Sequence, residues 1–277
     1  MIMINILHHF VPNPIIFSLG AIQVRWYGLC LMLGIAASLW LGRTLARLCK
    51  ISDEDYFDLA FWVILNGLIG ARVYEIFLEL PYYLANPLEI PAVWHGGLAI
   101  HGAIIGGAIT VWYWAKKHSI RFWQLAAIVT TTLPLGQAIG RWGNYFNQEL
   151  FGRPTDLPWG IPIEYRHRPV NFSTDAYFQP TFLYESIGSL IILGILIVFW
   201  KKCFKNPNIP WPKIITLTYI GLYSLLRFVT ELIRIDATPT LFSLRWPAIL
   251  SLILAISSLI WLIIVVQRSK TPPLEKK

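Results

Sequence analysis

The stretch Gly136–Gly152, which reads GQAIGRWGNYFNQELFG, decides how the rest of the chain is interpreted. It lies at the end of a hydrophobic run and carries the polar or charged side chains of Arg141, Asn144, Asn147 and Glu149. A buried polar group without a partner costs about 2–7 kcal/mol, and an unpaired charge costs more. These side chains therefore need either neighbouring protein groups or a polar ligand.

Three glycines in the same stretch, Gly136, Gly140 and Gly143, recur at spacings of four and three residues. This spacing leaves one face of a helix bare and permits another backbone to approach closely. Two interpretations stay open from these residues alone. The stretch either packs against other helices and ends in an interfacial cap, or it forms one wall of a ligand site.

The composition of the 277-residue chain indicates a membrane protein. Hydrophobic residues make up 56% of the chain and charged residues only 14%, whereas a soluble domain carries about 25% charged residues. The formal charge of +8 could indicate nucleic acid, but the basic residues lie between hydrophobic runs and form no single patch, so we expect no nucleic-acid partner. Cys30, Cys49 and Cys203 have neither paired nor metal-ligand spacing, so we expect no disulfide, no metal and no cofactor.

Seven hydrophobic runs are long enough to cross a bilayer, which takes about 20 helical residues. They predict an all-α polytopic membrane protein with seven transmembrane helices near 26–48, 56–80, 95–115, 122–142, 181–200, 213–235 and 246–266. Residues 1–277 are interpreted as a single integral membrane domain. Within it, residues 143–180 form the longest non-helical stretch, and their many aromatic side chains predict an ordered extracytoplasmic loop or cap.

The distribution of Lys and Arg predicts the orientation in the membrane. One side receives 14 of these residues and the other side only five, while four more lie inside helices or at helix ends. The positive-inside rule places the more basic side in the cytoplasm, together with the C-terminal Lys276 and Lys277, and the N-terminus outside. Arg141 then lies near the outer membrane surface, and Arg72, on the second helix, is expected to pair with Glu75.

Ionisable residues at membrane depth are candidates for a functional site. This chain carries them, with polar neighbours, in the outer halves of four predicted helices. They are Arg25, Trp26 and Tyr27 in the first, His101 about six residues inside the third, Arg141 and Asn144 in the fourth, and Tyr223, Arg227, Glu231 and Arg234 on one face of the sixth. Their shared depth favours a common site.

Each of these residues also has a packing interpretation. His101 can pack between helices that touch at Gly102 and Gly106, since small residues at this spacing allow close helix contact. Arg227 can form a helical ion pair with a glutamate four residues further on. Tyr27 can serve as an interfacial anchor.

Two arginines, a histidine, an amide and a carboxylate near the outer surface suit an anion with an apolar remainder. The planar guanidinium group binds phosphate well, and in a membrane the available phosphate ester is a phospholipid headgroup. A histidine can take a proton from an incoming nucleophile near neutral pH. None of the three cysteines is placed to serve as the nucleophile of the enzyme, so we expect a second substrate to bring it.

Two other classes of protein stay open. A transporter can use the same outer-facing polar groups, but it needs them across the whole membrane, and the cytoplasmic halves of the fifth and seventh helices are almost purely apolar. A membrane scaffold can use the aromatic outer loop as a docking surface. The scaffold interpretation leaves Arg141, Asn144 and Glu149 unexplained.

The motif GRWGNYFNQELFG, residues 140–152, resembles the signature of the prolipoprotein diacylglyceryl transferase family, bacterial enzymes that modify lipoprotein precursors. The resemblance extends along nearly the whole chain. The other matching segments, in chain order, are PIIFSLGAIQVRWYG, GGLAIHGAIIGG, QPTFLYE and YSLLRFVTELIR.

The resemblance implies a reaction in the outer half of the bacterial inner or plasma membrane. Phosphatidylglycerol donates its diacylglyceryl group to the thiol of the lipobox cysteine in a prolipoprotein signal peptide, a thioether forms, and glycerol phosphate is released. The implied partners are phosphatidylglycerol, the prolipoprotein and membrane lipid, and the nucleophile belongs to the substrate. Many family members have His before the proline where this chain has Gln179, so a base at that position is excluded here.

The resemblance also implies roles for individual residues. Arg141 matches the arginine that binds phosphatidylglycerol, and Arg227 matches a second essential cation. The base is not settled by the family, and we favour His101 as a hypothesis. The expected catalytic residues are His101, Arg141 and Arg227, and those expected to bind substrate are Arg141, Tyr27, Asn144, Glu149, Gly152 and Glu231.

Overall fold

The computed structural model describes residues 7–20, 22–206 and 208–270. The predicted C-terminal tail, with Lys276 and Lys277, lies outside the described residues. Within them the chain is mainly helical. The α-helices are α1 (Trp26–Leu48), α2 (Asp53–Leu78), α3 (Leu80–Ala85), α4 (Ile100–Lys117), α5 (Phe122–Asn147), α6 (Thr181–Lys205), α7 (Trp211–Glu231) and α8 (Trp246–Lys270).

Among the described helices, α1, α2, α6, α7 and α8 are long and apolar enough to cross a membrane. Much of their apolar surface faces outward: the buried share of the most apolar part is only 11% in α8 and 17% in α2, and reaches 50% in α7. A soluble protein rarely exposes apolar patches of this size, whereas lipid covers them in a bilayer. The chain is therefore a membrane protein. The count of seven spans stays a prediction, because α4 and α5 are not among these five helices.

Short antiparallel hairpins occur in three of the connections. β1 (Ile15–Leu19) pairs with β2 (Ile22–Arg25) directly before α1. β3 (Ile161–Pro162) pairs with β4 (Tyr177–Phe178) before α6, and β5 (Thr240–Leu241) pairs with β6 (Leu244–Arg245) before α8. These pairings satisfy backbone hydrogen-bonding groups that the helices do not include.

The chain divides into two compact units, which are described separately. The smaller unit is Leu39–Val129, and the larger contains the described parts of Met1–Ser38 and Thr130–Lys277. In the smaller unit α2 packs along α4. A Cβ atom added to Gly102 or Gly106 would overlap backbone atoms of Gly70 or Asn66. The predicted close helix contact at these two glycines is therefore confirmed.

In the larger unit α7 packs against both α6 and α8. Ile214 and Leu217 of α7 form a buried apolar cluster with Val265 of α8. On the other side, a Cβ atom added to Gly188 of α6 would lie 2.6 Å from Leu226 Cδ1 of α7. Small residues thus bring α6 close to α7 in the part of the unit that carries the candidate site.

Helix α5 is longer than predicted. The cap was expected to begin near residue 143, but residues 143–147 continue the helix. Aromatic packing anchors this last turn, since the Phe146 ring stacks on Trp26 with 4.6 Å between ring centroids. The helix ends where Gln148 takes a left-handed φ of 53°.

The segment between α5 and α6 packs around an apolar core of its own. The buried members of this core include Phe151, Ile161, Ile163 and Phe178. At its start the Gln148 side chain accepts a hydrogen bond from the Glu164 backbone at 2.7 Å and donates to the Pro12 carbonyl at 2.9 Å. The segment therefore holds the end of α5 in a fixed position.

Candidate functional site

The side chains of Arg141 and Arg227 converge on one buried carboxylate, that of Glu185. Arg141 of α5 places Nη2 2.5 Å from Glu185 Oε2, and Arg227 of α7 donates from Nη1 to Glu185 Oε1 at 2.6 Å. Glu185 lies near the start of α6, and its side chain is only 3% exposed. Three helices therefore contribute one charged side chain each to the same place.

Polar contacts at the start of α6 fix Glu185 in this position. The Ser186 hydroxyl donates to the Ala138 carbonyl of α5 at 2.8 Å, and the Thr181 hydroxyl donates to the Leu150 carbonyl. Both hydroxyl-bearing residues are buried. The first turns of α6 are therefore tied to α5 through Ser186 and to the segment after α5 through Thr181, which holds the Glu185 carboxylate opposite Arg141.

A second buried carboxylate, that of Glu231, pairs with three arginines. Arg227 pairs with it across one helical turn, Arg245 donates from Nε to Oε2 at 2.8 Å, and Arg234 Nη1 lies 3.2 Å from Oε1. The Glu231 side chain is 1% exposed. The predicted helical pair of Arg227 with Glu231 is confirmed, and Arg227 also faces Glu185; its role in a functional site stays a prediction.

Asp236 extends this ion network beyond the membrane-spanning helices. Arg234 Nε donates to Asp236 Oδ1 at 2.8 Å, and Arg245 Nη2 donates to Asp236 Oδ2 at 2.9 Å. Burial alone would raise the pKa of Asp236, but the hydrogen bonds and charges of the two arginines outweigh burial and lower it. We call the network the arginine cluster; its members are Arg141, Glu185, Arg227, Glu231, Arg234, Asp236 and Arg245.

A chain of hydrogen bonds leads from Arg141 to the segment after α5. Arg141 Nη1 donates to Asn144 Oδ1 at 3.3 Å, and Asn144 Nδ2 donates to Glu149 Oε1 at 2.8 Å. Asn147 Nδ2 donates to the same Glu149 oxygen at 3.3 Å. The structure thus brings Arg141, Asn144 and Glu149 together.

Tyr27 and Gly152 adjoin this arrangement through packing and backbone contacts. A Cβ atom added to Gly143 would lie 2.8 Å from Tyr27 Cδ2, so the bare face of α5 receives the tyrosine ring. The Gly152 N–H donates to the Gln179 carbonyl at 2.9 Å, and a Cβ atom on Gly152 would lie 3.2 Å from the Ile233 carbonyl oxygen. Gly152 therefore joins the segment after α5 to the segments before α6 and after α7.

His101 belongs to the smaller unit and is the second residue of α4, so the prediction that it lies six residues inside a helix is wrong. The helix begins late because Gly96 and Gly97 have φ values of 92° and 69°. Arg72 donates to their carbonyls at 2.6 and 2.9 Å and holds them out of the helix. The His101 ring is exposed and lies 5.9 Å from the Tyr74 ring, centroid to centroid.

Arg72 is a buried structural cation, and its predicted pairing with Glu75 is wrong. Its side chain donates instead to backbone carbonyls of the connection before α4, those of Glu89, Ile90, Ala92, Gly96 and Gly97. These acceptors satisfy the guanidinium group within the protein. The sequence carried no signal of this arrangement, because any residue can supply a carbonyl.

Glu185, Asp236 and Arg245 carry no predicted role, although the structure places them in the arginine cluster. Glu185 closes the QPTFLYE motif and is an acidic residue near the start of an apolar helix. That placement is the signal that could have identified it. Asp236 and Arg245 lie in a connection between helices, where charged residues are ordinary and give no such signal.

The fold and this cluster define a class of protein: a membrane protein with a buried cationic site suited to an anionic ligand. Its four arginines and three carboxylates leave one excess positive charge. Among the described residues, no group of three or more His, Cys, Asp or Glu side chains is arranged to hold a metal ion. The family model of the prolipoprotein diacylglyceryl transferases matches residues 14–264, and the chain belongs to this family.

Relatives named phosphatidylglycerol–prolipoprotein diacylglyceryl transferase match over most of their own length. The protein from Acaryochloris marina is 42% identical over 226 residues, which cover 82% of this chain and 81% of the relative. The protein from Synechocystis sp. is 39% identical over 254 residues, covering 91% and 89%. The protein from Thermotoga maritima is 41% identical over 226 residues, covering 80% and 74%.

Proposed function

We propose that this chain transfers the diacylglyceryl group of phosphatidylglycerol to the thiol of the lipobox cysteine of prolipoproteins, forming a thioether and releasing glycerol phosphate. The observation that carries the proposal is the convergence of Arg141 and Arg227, from two helices, on one buried position. Two guanidinium groups so arranged can bind the oxygens of one phosphate group. Membership of the family and the names of the relatives support the same reaction.

In the proposed reaction the thiolate sulfur attacks the carbon of the diacylglyceryl group that is bonded to the phosphate ester oxygen. A sulfur–carbon bond forms, the carbon–oxygen bond breaks, and its electron pair leaves with the phosphate. The leaving group gains negative charge as the bond breaks, and Arg141 and Arg227 stabilise that charge. One such contact is worth about 2–4 kcal/mol, or about 10²–10³ in rate.

The remaining predicted site residues have supporting roles in this proposal. Asn144 and Glu149 extend the binding surface from Arg141, Tyr27 lines its edge, Glu231 orients Arg227, and Gly152 holds the adjoining segments together.

His101 takes the proton of the substrate thiol in our proposal. The carboxylates of Glu185 and Glu231 are poor candidates for the base, because each is already paired with at least two arginines.

The proposed reaction takes place in the outer half of a bacterial inner or plasma membrane. In this proposal seven helices, α1, α2 and α4 to α8, span the bilayer as one integral membrane domain, with the N-terminus outside and the C-terminus in the cytoplasm. The excess of Lys and Arg in alternate connections supports this orientation. The lipobox cysteine then reaches the site from the outer side.

Arg141→Ala tests the proposed function. Because Glu185 keeps its pair with Arg227, we expect the variant to fold. Transfer of labelled diacylglyceryl from phosphatidylglycerol to a lipobox peptide should fall by about 10²–10³. The matched control is Arg166→Ala, which removes an arginine whose side chain is 67% exposed and should leave the rate unchanged. A folded Arg141→Ala variant that transfers at the wild-type rate contradicts the assignment.

A further inference from the structure

Glu185 occupies the position toward which both arginines point. Its Oε2 contacts Arg141 and its Oε1 contacts Arg227, so each carboxylate oxygen serves a different arginine. A phosphate group likewise presents two oxygens on one central atom. The carboxylate therefore places a negative charge against both arginines, at the position where a bound phosphate ester would place its own.

The terminal nitrogens of both arginines already have protein partners. Besides their contacts to Glu185, Arg141 Nη1 donates to Asn144 and Arg227 Nη2 donates to Glu231. A phosphate ester that enters the site must share these donors with the protein or displace Glu185 from them. The affinity of the site for anions is thus set partly by the Glu185 charge.

Competition of this kind matters most after the reaction. Phosphatidylglycerol is a phosphodiester with one negative charge, whereas the product is a phosphate monoester with about −1.5 to −2 at neutral pH. Two unopposed arginines would hold the product more tightly than the substrate. When the Glu185 carboxylate returns to both arginines, it competes with the bound product and so reduces this difference in affinity.

We propose that Glu185 is the resident counter-ion of the phosphate site, an inference that rests on the proposed function. It is a positioning residue that holds Arg141 and Arg227 together when no phosphate ester is bound. It also competes with phosphate esters for both arginines, which allows glycerol phosphate to leave. Glu185 takes no part in making or breaking bonds, because both of its oxygens face arginines.

Glu185→Gln tests this role, because glutamine keeps the shape of the side chain and removes its charge. In detergent, the purified variant should melt at a lower temperature than the wild type when no anion is added. The reason is that Arg141 and Arg227 then lack the negative charge that pairs with both of them. Glycerol phosphate should bind it at least tenfold more tightly, which corresponds to about 1.4 kcal/mol at 25 °C. Titration at constant ionic strength, followed by thermal shift, measures both quantities.

Transfer kinetics separate a counter-ion from a residue that only supports the fold. Glu185→Gln should lower the KM for phosphatidylglycerol and lower kcat, because the product leaves slowly. The matched control is Glu164→Gln, which loses an exposed pair with Arg166 at 2.7 Å and should bind glycerol phosphate as the wild type does. Affinity of Glu185→Gln for glycerol phosphate that equals or falls below the wild-type affinity overturns the proposal.

Glu185→Asp provides a second variant that keeps the charge if the glutamine variant does not fold. Aspartate is shorter by one methylene and reaches one arginine at a time, so its affinity for glycerol phosphate should lie between those of the wild type and Glu185→Gln. An affinity identical to the wild-type value overturns the two-arginine bridge.

Binding of glycerol phosphate does not require transfer. If Glu185→Gln binds tightly while the wild type transfers no lipid, the proposed function fails and the counter-ion role stands.

Discussion

Replacing Arg227 by Gln perturbs the centre of the arginine cluster, because this side chain pairs with both buried carboxylates. Removing one partner of a buried ion pair costs about 3–5 kcal/mol when the other charge is left alone. Here Glu185 keeps Arg141 at 2.5 Å and Glu231 keeps Arg245 at 2.8 Å. We therefore expect the free energy of unfolding to fall by no more than about 3 kcal/mol.

The same substitution should affect transfer more strongly than stability. It removes one charge-assisted contact to the leaving phosphate, so the rate should fall by about 10²–10³. Transfer from labelled phosphatidylglycerol to a lipobox peptide measures the rate, and thermal unfolding followed by tryptophan fluorescence measures stability. The matched control Arg166→Gln breaks an exposed pair, which is worth about 0–1 kcal/mol. A folded Arg227→Gln variant that transfers within about threefold of the wild-type rate refutes the reasoning.

Other variants test the base, the outer ion pairs and the glycine face of α5. His101→Asn should lower transfer by about 10²-fold or more and change the pH profile of the rate; an unchanged profile excludes His101 as the base. Asp236, whose pKa is lowered, should stabilise the fold above its unfolded pKa of about 3.9 and lose this contribution as the pH falls through the folded pKa. The wild type should therefore melt at a higher temperature than Asp236→Asn at neutral pH, with the difference in melting temperature shrinking as the pH falls below about 3.9; a constant difference contradicts this. Gly143→Ala places a Cβ atom 2.8 Å from the Tyr27 ring and should cost about 1–3 kcal/mol, whereas Gly140→Ala meets no described atom within 4 Å and should gain up to about 1 kcal/mol; equal melting temperatures contradict the packing assignment.

Helix boundaries could be predicted well where they depend only on the length of a hydrophobic run. The predicted span 26–48 is confirmed by α1, and the predicted start at residue 181 is confirmed by α6. Boundaries set by distant contacts could not be predicted. α4 starts late because Arg72 holds the preceding glycine carbonyls, and α5 continues past residue 143 because its last turn packs on aromatic rings.

The candidate site could be predicted only where its residues share a local pattern. Arg141, Asn144 and Glu149 lie in one motif, and Arg227 with Glu231 lies on one helical face. The bridge through Glu185 joins side chains of three different helices, so no local spacing in the sequence predicts it.

Neutral contacts between helices were missed for the same reason. Gln137 donates to the Tyr219 hydroxyl and Trp200 donates to the Thr131 hydroxyl, each at 2.8 Å. The two bonds join residues 82 and 69 positions apart, so neither shows in any local sequence pattern.

The central claim is that the arginine cluster promotes displacement at the glyceryl carbon by a substrate thiol. The most direct measurement uses phosphatidylglycerol with a heavy oxygen isotope in the bond between that carbon and phosphorus. After incubation of the purified protein with a lipobox peptide, mass spectrometry follows the label. We predict a thioether-linked diacylglyceryl group on the cysteine and all of the heavy oxygen in the released glycerol phosphate. Heavy oxygen that stays with the lipid, or a peptide that gains no lipid, contradicts the account.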